Sequence, residues 1–124
     1  MSLAVHSHAL HGVQLLSLTG RFVYGPELEV FDRSAFDALR RSSQLVVDLT
    51  AVELLDDHGI SALMALLQTA RNRGGDLRLV MPRTNNVVSR VLNLTHLTDV
   101  FRVFSNDMDA VGSYDEIFTR AIAV

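Results

Sequence analysis

Two carboxylates and an imidazole stand side by side in this 124-residue chain, in the order Asp56, Asp57, His58 and Gly59. Side chains of these types can transfer protons, bind a cation or make ionic contacts with a partner. They follow a β-rich apolar run and precede a helical pattern, which places them at the carboxyl end of a strand in an α/β sheet. Ligands and partners of such sheets commonly bind there. We therefore take this turn as the candidate functional site.

The turn has three chemical interpretations. Paired catalytic carboxylates would need a nucleophile or a substrate-positioning shell, and no second motif in the sequence supplies one. A metal site would need further ligands, because three neighbouring residues cannot easily converge on one ion. Capping of the following helix by one of the two aspartates needs the fewest assumptions and is compatible with partner binding. The sequence therefore predicts a helix cap, and no catalytic residue, metal site or cofactor.

Other residues that could do chemistry are assigned to ordinary structure. Three histidines near the N-terminus are predicted to lie on the surface of a strand and its turn, with adventitious metal affinity as the remote alternative: His6, His8 and His11. Three aromatic residues could line a ligand cleft beside Gly25-Pro26, but packing in the core and loops is the favoured interpretation: Phe22, Tyr24 and Phe31.

Composition narrows the class of protein. Apolar residues make up 48% of the chain and charged residues 20%, a mixture typical of one folded domain spanning residues 1–124. The net charge is −3 and no basic run exceeds Arg40-Arg41, which argues against a nucleic-acid surface. Cysteine is absent, so there is no thiolate nucleophile and no disulfide. No apolar run reaches the roughly 18–20 residues of a membrane span. We expect a cytoplasmic protein with no direct membrane insertion.

The apolar pattern predicts the element order ββαβαβαβα. Strands are expected over residues 3–10, 13–18, 45–49, 76–81 and 100–104, with a hairpin at Gly12 and a helix end at Gly74-Gly75. Helices are expected over residues 27–41 and 59–73, from a Thr84 cap to residue 95, and after residue 107. The residues predicted to face inward from these helices are Leu28, Phe31, Ala35, Phe36, Leu39, Ile60, Leu63, Met64, Leu67, Ala70, Val88, Val91, Leu92, Met108, Val111 and Phe118. This order predicts an α/β fold with a largely parallel, mixed sheet.

The same residues resemble the STAS domain, the fold of bacterial anti-sigma factor antagonists, over nearly the whole chain. The resemblance is densest over residues 46–49, 54–59, 70–75 and 91–101. It implies a four- to five-stranded mixed sheet with about four helices packed against it. It also implies a regulatory role in transcription by partner switching, in which the protein binds a kinase that doubles as an anti-sigma factor.

The turn departs from the family pattern, which usually reads Asp-Ser-Ser-Gly or Asp-Ser-Ala-Gly. Asp56 matches the family aspartate and Gly59 the glycine, whereas Asp57 and His58 replace the two middle residues. In switched members a serine there, commonly the one before the glycine, accepts the phosphate. A serine kinase needs an alcohol nucleophile, so we expect no phosphorylation at His58. Ser61, nearly one helical turn later, is a weak displaced candidate.

The charge of Asp57 has two opposite interpretations. It lies where the phosphate of relatives would lie, so the turn could imitate the phosphorylated, non-binding form. It could equally form a binding surface that the partner cannot switch off. The resemblance extends the contact surface onto small residues of the second helix, so the predicted partner-binding residues are Asp56, Asp57, His58, Gly59, Ser61, Ala62 and Ala65.

The leading hypothesis is a non-enzymatic, protein-binding regulator of the anti-sigma factor antagonist type, with a homodimer compatible with that role. Two alternatives stay open. The chain could be a STAS subunit of another machine, such as a lipid-transport ATPase complex or a sensory assembly. It could also be a STAS domain that senses a nucleotide or another small ligand.

Overall fold

The computed structural model describes residues 2–81 and 86–115. Its strands are β1 (Leu3–Leu10), β2 (Val13–Phe22), β3 (Gln44–Leu55), β4 (Asp76–Val80) and β5 (Val103–Phe104). Its helices are α1 (Pro26–Leu39), α2 (Asp57–Asn72), α3 (Val87–Leu94) and α4 (Asp107–Gly112), with short 3₁₀ turns at Leu97–Asp99 and Ser113–Asp115. The predicted element order and the predicted α/β class are confirmed.

The sheet has the strand order β1-β2-β3-β4-β5. The first two strands pair antiparallel, and every other neighbouring pair is parallel. A two-residue turn joins β1 to β2 at His11 and Gly12, which both have positive φ angles, of 51° and 79°. Such turns match the natural twist of a hairpin and favour glycine at their second position. The sheet is therefore mixed, as expected, with one antiparallel strand at its edge.

The sheet is covered on two sides by unequal layers. Residues of α1, α2 and α3, such as Phe31, Leu63 and Leu92, form the main core with one face of the sheet. A smaller cluster on the other face joins Val46 and Val80 to Ala110 and Val111 of α4. Because β3 lies between both layers, its segment Leu45–Val47 is fully buried. This confirms the prediction of a strand covered on both faces.

The central strands run further than the sequence pattern predicts. β2 continues to Phe22 and β3 to Leu55, beyond the predicted ends at residues 18 and 49. Irregularities in the β2–β3 pairing after Ser17 and after Gly20 change the alternation of exposed and buried residues. The simple period of two is lost there, so the sequence pattern ends the strands too early. The extension carries β3 directly to the Asp56 turn.

Some predicted inward residues face solvent instead. Met108 is 77% exposed, and Phe36 and Met64 are also exposed, so these three predictions are wrong. In α2 the buried position next to Leu67 is Leu66, because the helix turns a slightly different face to the sheet than the pattern suggested. Asn86 caps α3 through a reciprocal pair of bonds with Ser89. The proposed Thr84 cap and Phe118 lie outside the described residues.

Two helix ends are set by left-handed residues. Gly74 has φ 84°, and the N–H groups of Gly74 and Gly75 donate to the carbonyls of Arg71 and Ala70 respectively. This is the Schellman arrangement, so the prediction of a glycine cap is confirmed. After α3 the left-handed residue is His96, with φ 58°. Histidine is enriched there relative to most non-glycine residues, so α3 ends without a glycine.

Candidate functional site

The side chain of Asp56 fixes the start of α2. One carboxylate oxygen, Oδ1, accepts hydrogen bonds from the N–H groups of His58 and Gly59, both at 3.0 Å. The other, Oδ2, accepts the N–H of Tyr24 at 2.9 Å. The first two bonds satisfy N–H groups that a helix start leaves without partners. The third ties the turn to the segment after β2, so the predicted capping role is confirmed and belongs to Asp56.

The same contacts set the acidity of Asp56. Partial burial acts to raise the pKa of this carboxyl, but the N–H groups of Tyr24, Gly59 and His58, with the charge of His58, act to lower it. The net result is a pKa below the ordinary value of 3.8. The group is therefore ionised at neutral pH and committed to its hydrogen bonds, which makes it a structural anchor of the turn.

Gly59 lets α2 approach the end of β2 closely. A Cβ atom at this position would lie 2.5 Å from the carbonyl oxygen of Phe22 and 2.8 Å from Cδ1 of Leu55. Those distances are below any normal carbon contact, and one neighbour is backbone that cannot easily move. Glycine is therefore required by close packing, and its backbone needs no positive φ angle. Gly59 contributes shape to the site and has no side chain to offer a partner.

Asp57 and His58 are the two members of the turn whose side chains face solvent. Asp57 is exposed at the first position of α2, and the His58 side chain is 57% exposed. The imidazole lies with its ring centre 4.7 Å from that of Tyr24, at a tilt of 54°. Its Nδ1 is 3.7 Å from Asp56 Oδ2, an ion pair when the imidazole is protonated. The turn thus presents a carboxylate beside a tilted imidazole–phenol pair.

Tyr24 is the member of this surface that sequence reasoning missed. The sequence predicts core or loop packing for Tyr24, as for Phe22 and Phe31. Those two residues are indeed buried and pack with ring centres 4.6 Å apart, but Tyr24 is 70% exposed. Alternation along an extended segment would place Tyr24 on the same side as the buried Phe22, two residues earlier, so the sequence pattern gave no signal of its exposure. What the sequence could not supply was the bond between Tyr24 and Asp56, 32 residues away.

The predicted contact residues of α2 lie on its outer side. Ser61 and Ala65 are exposed and Ala62 is half-buried, whereas Leu63, Leu66 and Leu67 face the core. Next to them, α1 and α2 enclose an open groove of about 290 Å³, whose lining includes Phe36, Ala62 and Ala65. The exposed ring of Phe36 therefore continues the small-residue surface of α2 onto α1. All seven predicted site residues lie in the turn or in the two α2 turns that follow it.

The arrangement is suited to recognition more than to chemistry. Within the part of the chain that the structure describes, no three His, Asp or Glu side chains are grouped so that they could hold a metal ion. The Asp56 carboxylate is occupied by three N–H groups, so it is not poised as a general base. Asp57 and His58 can offer charge and hydrogen bonds to another molecule. Over the same residues, no helix has the length and hydropathy needed to cross a bilayer.

Comparison with known proteins identifies the class. The family model of the STAS domain matches residues 7–110, and the chain belongs to that family. The structure is similar to an anti-sigma factor antagonist from Mycobacterium paratuberculosis, with a TM-score of 0.74 and 23% identity over 90% of this chain and 92% of that one. It is also similar to the Bacillus anti-sigma factor antagonist SpoIIAA in its unphosphorylated form, with a TM-score of 0.75 and 12% identity over 91% and 97%. At these identities the likeness establishes a shared fold.

Proposed function

We propose that this protein is a non-enzymatic regulator of the anti-sigma factor antagonist type, whose partner is a serine-kinase anti-sigma factor. The contact surface comprises the turn and the outer side of α2: Asp56, Asp57, His58, Gly59, Ser61, Ala62 and Ala65. Family membership and the fold of the two antagonists support the class of function. The different roles of the four turn residues support the location of the contact surface.

One observation carries this proposal. Asp56 and Gly59 make contacts that the fold itself requires, whereas the side chains of Asp57 and His58 make few such contacts and face solvent. Asp56 gives both oxygens to backbone N–H groups, and Gly59 is closed in by Phe22 and Leu55. These contacts fix the backbone on both sides of Asp57 and His58 and leave the two side chains exposed. A rigid backbone that presents exposed polar and aromatic groups is favourable for binding, because little conformational entropy is lost on association.

The site differs from a switchable antagonist by the absence of a hydroxyl at position 58. Imidazole cannot replace the serine alcohol as the acceptor of a serine kinase. Ser61 is exposed, but it lies nearly one helical turn further along α2 than position 58. We therefore propose that the partner cannot phosphorylate this protein at the turn. Asp57 supplies a permanent negative charge at the helix start, where the helix dipole favours it by about 0.3–1 kcal/mol.

The test is an affinity capture from lysate of the source organism with three baits: the native chain, His58→Ser and His96→Asn. The last is a control that removes an exposed histidine elsewhere and keeps a residue tolerant of the left-handed conformation. We expect the native chain and the control to retain a kinase-type anti-sigma factor. After incubation with ATP, mass spectrometry should find phosphate in the turn of His58→Ser alone, on the introduced hydroxyl.

Other outcomes would redirect the assignment. Stoichiometric phosphate on Ser61 of the native chain would contradict the unswitchable form of the proposal. Recovery of transport or sensory subunits in place of a kinase would favour a STAS subunit of another machine. A rise in melting temperature with nucleotides would favour the ligand-sensing alternative, because a ligand that binds only the folded state stabilises it.

A further inference from the structure

The free edge strand of the sheet lacks the features that normally prevent pairing with another chain. β1 is eight residues long, lies at the end of the strand order, and has exposed side chains along most of its length. The first twenty residues of the chain contain no Asp, Glu, Lys, Arg or Pro. Edge strands are usually protected by charges, proline, bulges or short length. None of these protections applies to β1.

The opposite edge of the same sheet is protected. β5 has only two residues, Val103 and Phe104, and the guanidinium of Arg102 lies over the Phe104 ring at 5.5 Å. A strand of that length offers a second chain very few backbone groups. The two edges of one sheet therefore differ in how far they resist association, and the unprotected one is β1.

The hydrogen bonding of the hairpin shows which backbone groups of β1 are free. The N–H of Arg21 donates to the carbonyl of Ser2, and in the pairing register Leu3 lies opposite Gly20. In an antiparallel pair, residues alternate between hydrogen-bonded and non-hydrogen-bonded positions. Even-numbered residues of β1 therefore direct their N–H and C=O groups toward β2. The odd-numbered residues, including Val5 and Ser7, direct theirs outward.

His6 and His8 occupy the same face of this strand. They are two residues apart, and side chains at that spacing point to one side of a sheet. Both are exposed, opposite Ser17 and Leu15 of β2. Neutral imidazole nitrogen is a good ligand for zinc and related transition metals, which usually require at least three protein ligands. One chain offers two at this position, so a site here is incomplete without a second copy.

We propose that two copies of this chain pair antiparallel along β1 and bind one zinc-class cation between them. With Ser7 opposite Ser7 of the other copy, the outward-facing backbone groups of both strands meet as hydrogen-bonded pairs. His6 then lies opposite His8 of the second copy in a non-hydrogen-bonded pair, where Cα atoms are about 4.5 Å apart. The two-fold axis repeats this pair, which places four imidazoles on one face. A tetrahedral His₄ site is thereby formed across the interface.

An apolar surface next to this edge supports the same association. Leu10 at the end of β1 and the largely exposed Met108 of α4 line one cavity of about 330 Å³, together with His11 and Val111. The proposed pairing brings the start of the second β1 alongside Leu10. Exposed apolar side chains continuous with an unprotected strand edge favour association of that region over free exposure.

The experiment measures the mass of the untagged full-length chain in solution, by light scattering after size exclusion, with EDTA and with added ZnCl₂. We expect monomers in EDTA, dimers with zinc, a bound ratio of one Zn²⁺ per two chains, and reversal by EDTA. The double variant His6→Ala/His8→Ala should stay monomeric with zinc. The control variant His96→Asn removes an exposed histidine elsewhere and should dimerise as the native chain does.

Two further variants test the strand pairing separately from the metal ligands. Ser7→Pro removes an outward N–H that the β1–β2 hairpin does not use, and Ser7→Lys adds a charge at the centre of the proposed interface. Both retain His6 and His8, and both should abolish the zinc-dependent dimer.

Three results would overturn the proposal. Zinc bound by monomers indicates an adventitious ion only. Zinc-dependent dimers that survive both Ser7 substitutions place the interface elsewhere. A dimer that forms equally well in EDTA removes the metal from the interface. The proposal does not rest on the regulatory function, since none of these measurements involves the Asp56–Gly59 turn or its partner.

Discussion

Helices α2 and α4 begin with nearly the same two residues, Asp56-Asp57 and Asn106-Asp107. In each case the first side chain caps the helix: Asp56 accepts the N–H groups of His58 and Gly59, and Asn106 accepts the N–H of Asp109 at 2.9 Å. The local chemistry is therefore the same, because both Asp and Asn accept hydrogen bonds well at a helix start. The two sites differ in what the rest of the fold brings to them.

The second aspartates of the two pairs have opposite surroundings. Asp57 faces solvent, whereas Asp107 is half-buried against Asp48 of β3. Burial, followed by the hydrogen bond and the charge of Asp48, raises the pKa of Asp107 to about 6. The α2 start thus presents a charge to solvent, while the α4 start holds a carboxyl pair against the sheet.

This comparison shows that the capping residue is determined by the local sequence. Whether the carboxylate that follows it is exposed or buried is determined by its tertiary neighbours. Two sequence motifs that look equivalent can therefore serve different purposes. One helix start is available for recognition, and the other contributes a pH-dependent contact to the fold. The predictions below test that difference.

The largest expected difference in stability is between alanine substitutions at Gly59 of α2 and at Gly112 of α4. Gly59→Ala should lower the free energy of unfolding by about 1–3 kcal/mol, since the new methyl meets Phe22 and Leu55 in a packed region. Gly112→Ala in α4 should instead be neutral or stabilising by up to about 1 kcal/mol, because among the described residues no atom beyond its own helix and chain neighbours lies within 4 Å of its added Cβ. Urea denaturation of both variants measures this. Equal effects would show that α2 is not held as closely as the distances indicate.

Asp56→Ala should lower the free energy of unfolding by about 1–2 kcal/mol, since it removes the cap of α2 and the acceptor for Tyr24. The pKa of Asp56 is depressed below 3.8, so its contribution is present above that pH and is lost as the pH falls through the folded-state value. Chemical denaturation at pH 7 and at about pH 2.5 should therefore give a smaller difference between variant and native chain at the lower pH. A constant difference would contradict the assigned hydrogen bonds.

Asp107→Asn should have the opposite dependence. The pKa of Asp107 is raised from 3.8 to about 6, so the folded state holds a proton that the unfolded state has lost between these values. The stability of the native chain should accordingly fall, from this group, as the pH rises from about 4 to about 6. Asp107→Asn should remove that slope and raise stability at pH 7 relative to the native chain. We expect this gain in the free energy of unfolding to be only about 0.5–1 kcal/mol, because solvent screens the repulsion between partly exposed carboxylates.

The matched control for this prediction is Asp57→Asn, which removes the charge at the same position of α2. At pH 7 and low salt it should lower the free energy of unfolding by about 0.3–1 kcal/mol through loss of a favourable dipole interaction. The two asparagine variants should thus change stability in opposite directions. Changes of the same sign would mean that Asp48 does not destabilise the ionised form of Asp107.

The smallest effect concerns the exposed ring pair of the turn. His58→Ala and Tyr24→Ala should each change stability by no more than about 0.5 kcal/mol, because both side chains are largely in solvent. A double-mutant cycle should give a coupling of about 0.5 kcal/mol or less. A coupling well above about 1 kcal/mol would show that the pair stabilises the fold, which would argue against the contact role proposed for His58.

The sequence by itself determined those features that depend on near neighbours along the chain. The alternation of strand and helix patterns predicted the element order, and the Leu45–Val47 run predicted a strand buried on both faces. Gly74 was correctly predicted as a helix end, and one of Asp56 and Asp57 as the cap of α2, because capping depends on residues only two to four positions away. All the residues that take part in these interactions lie within one short segment of the sequence.

Tertiary structure alone decided the features that join distant segments. The N–H of Tyr24 reaches Asp56, the carboxyl of Asp107 meets Asp48, and irregular β2–β3 pairing carries β3 to Leu55. Met108 faces solvent, whereas Ala110 and Val111 of the same helix are buried against the sheet. No local pattern encodes these contacts, since each depends on how strands and helices separated by tens of residues pack in space.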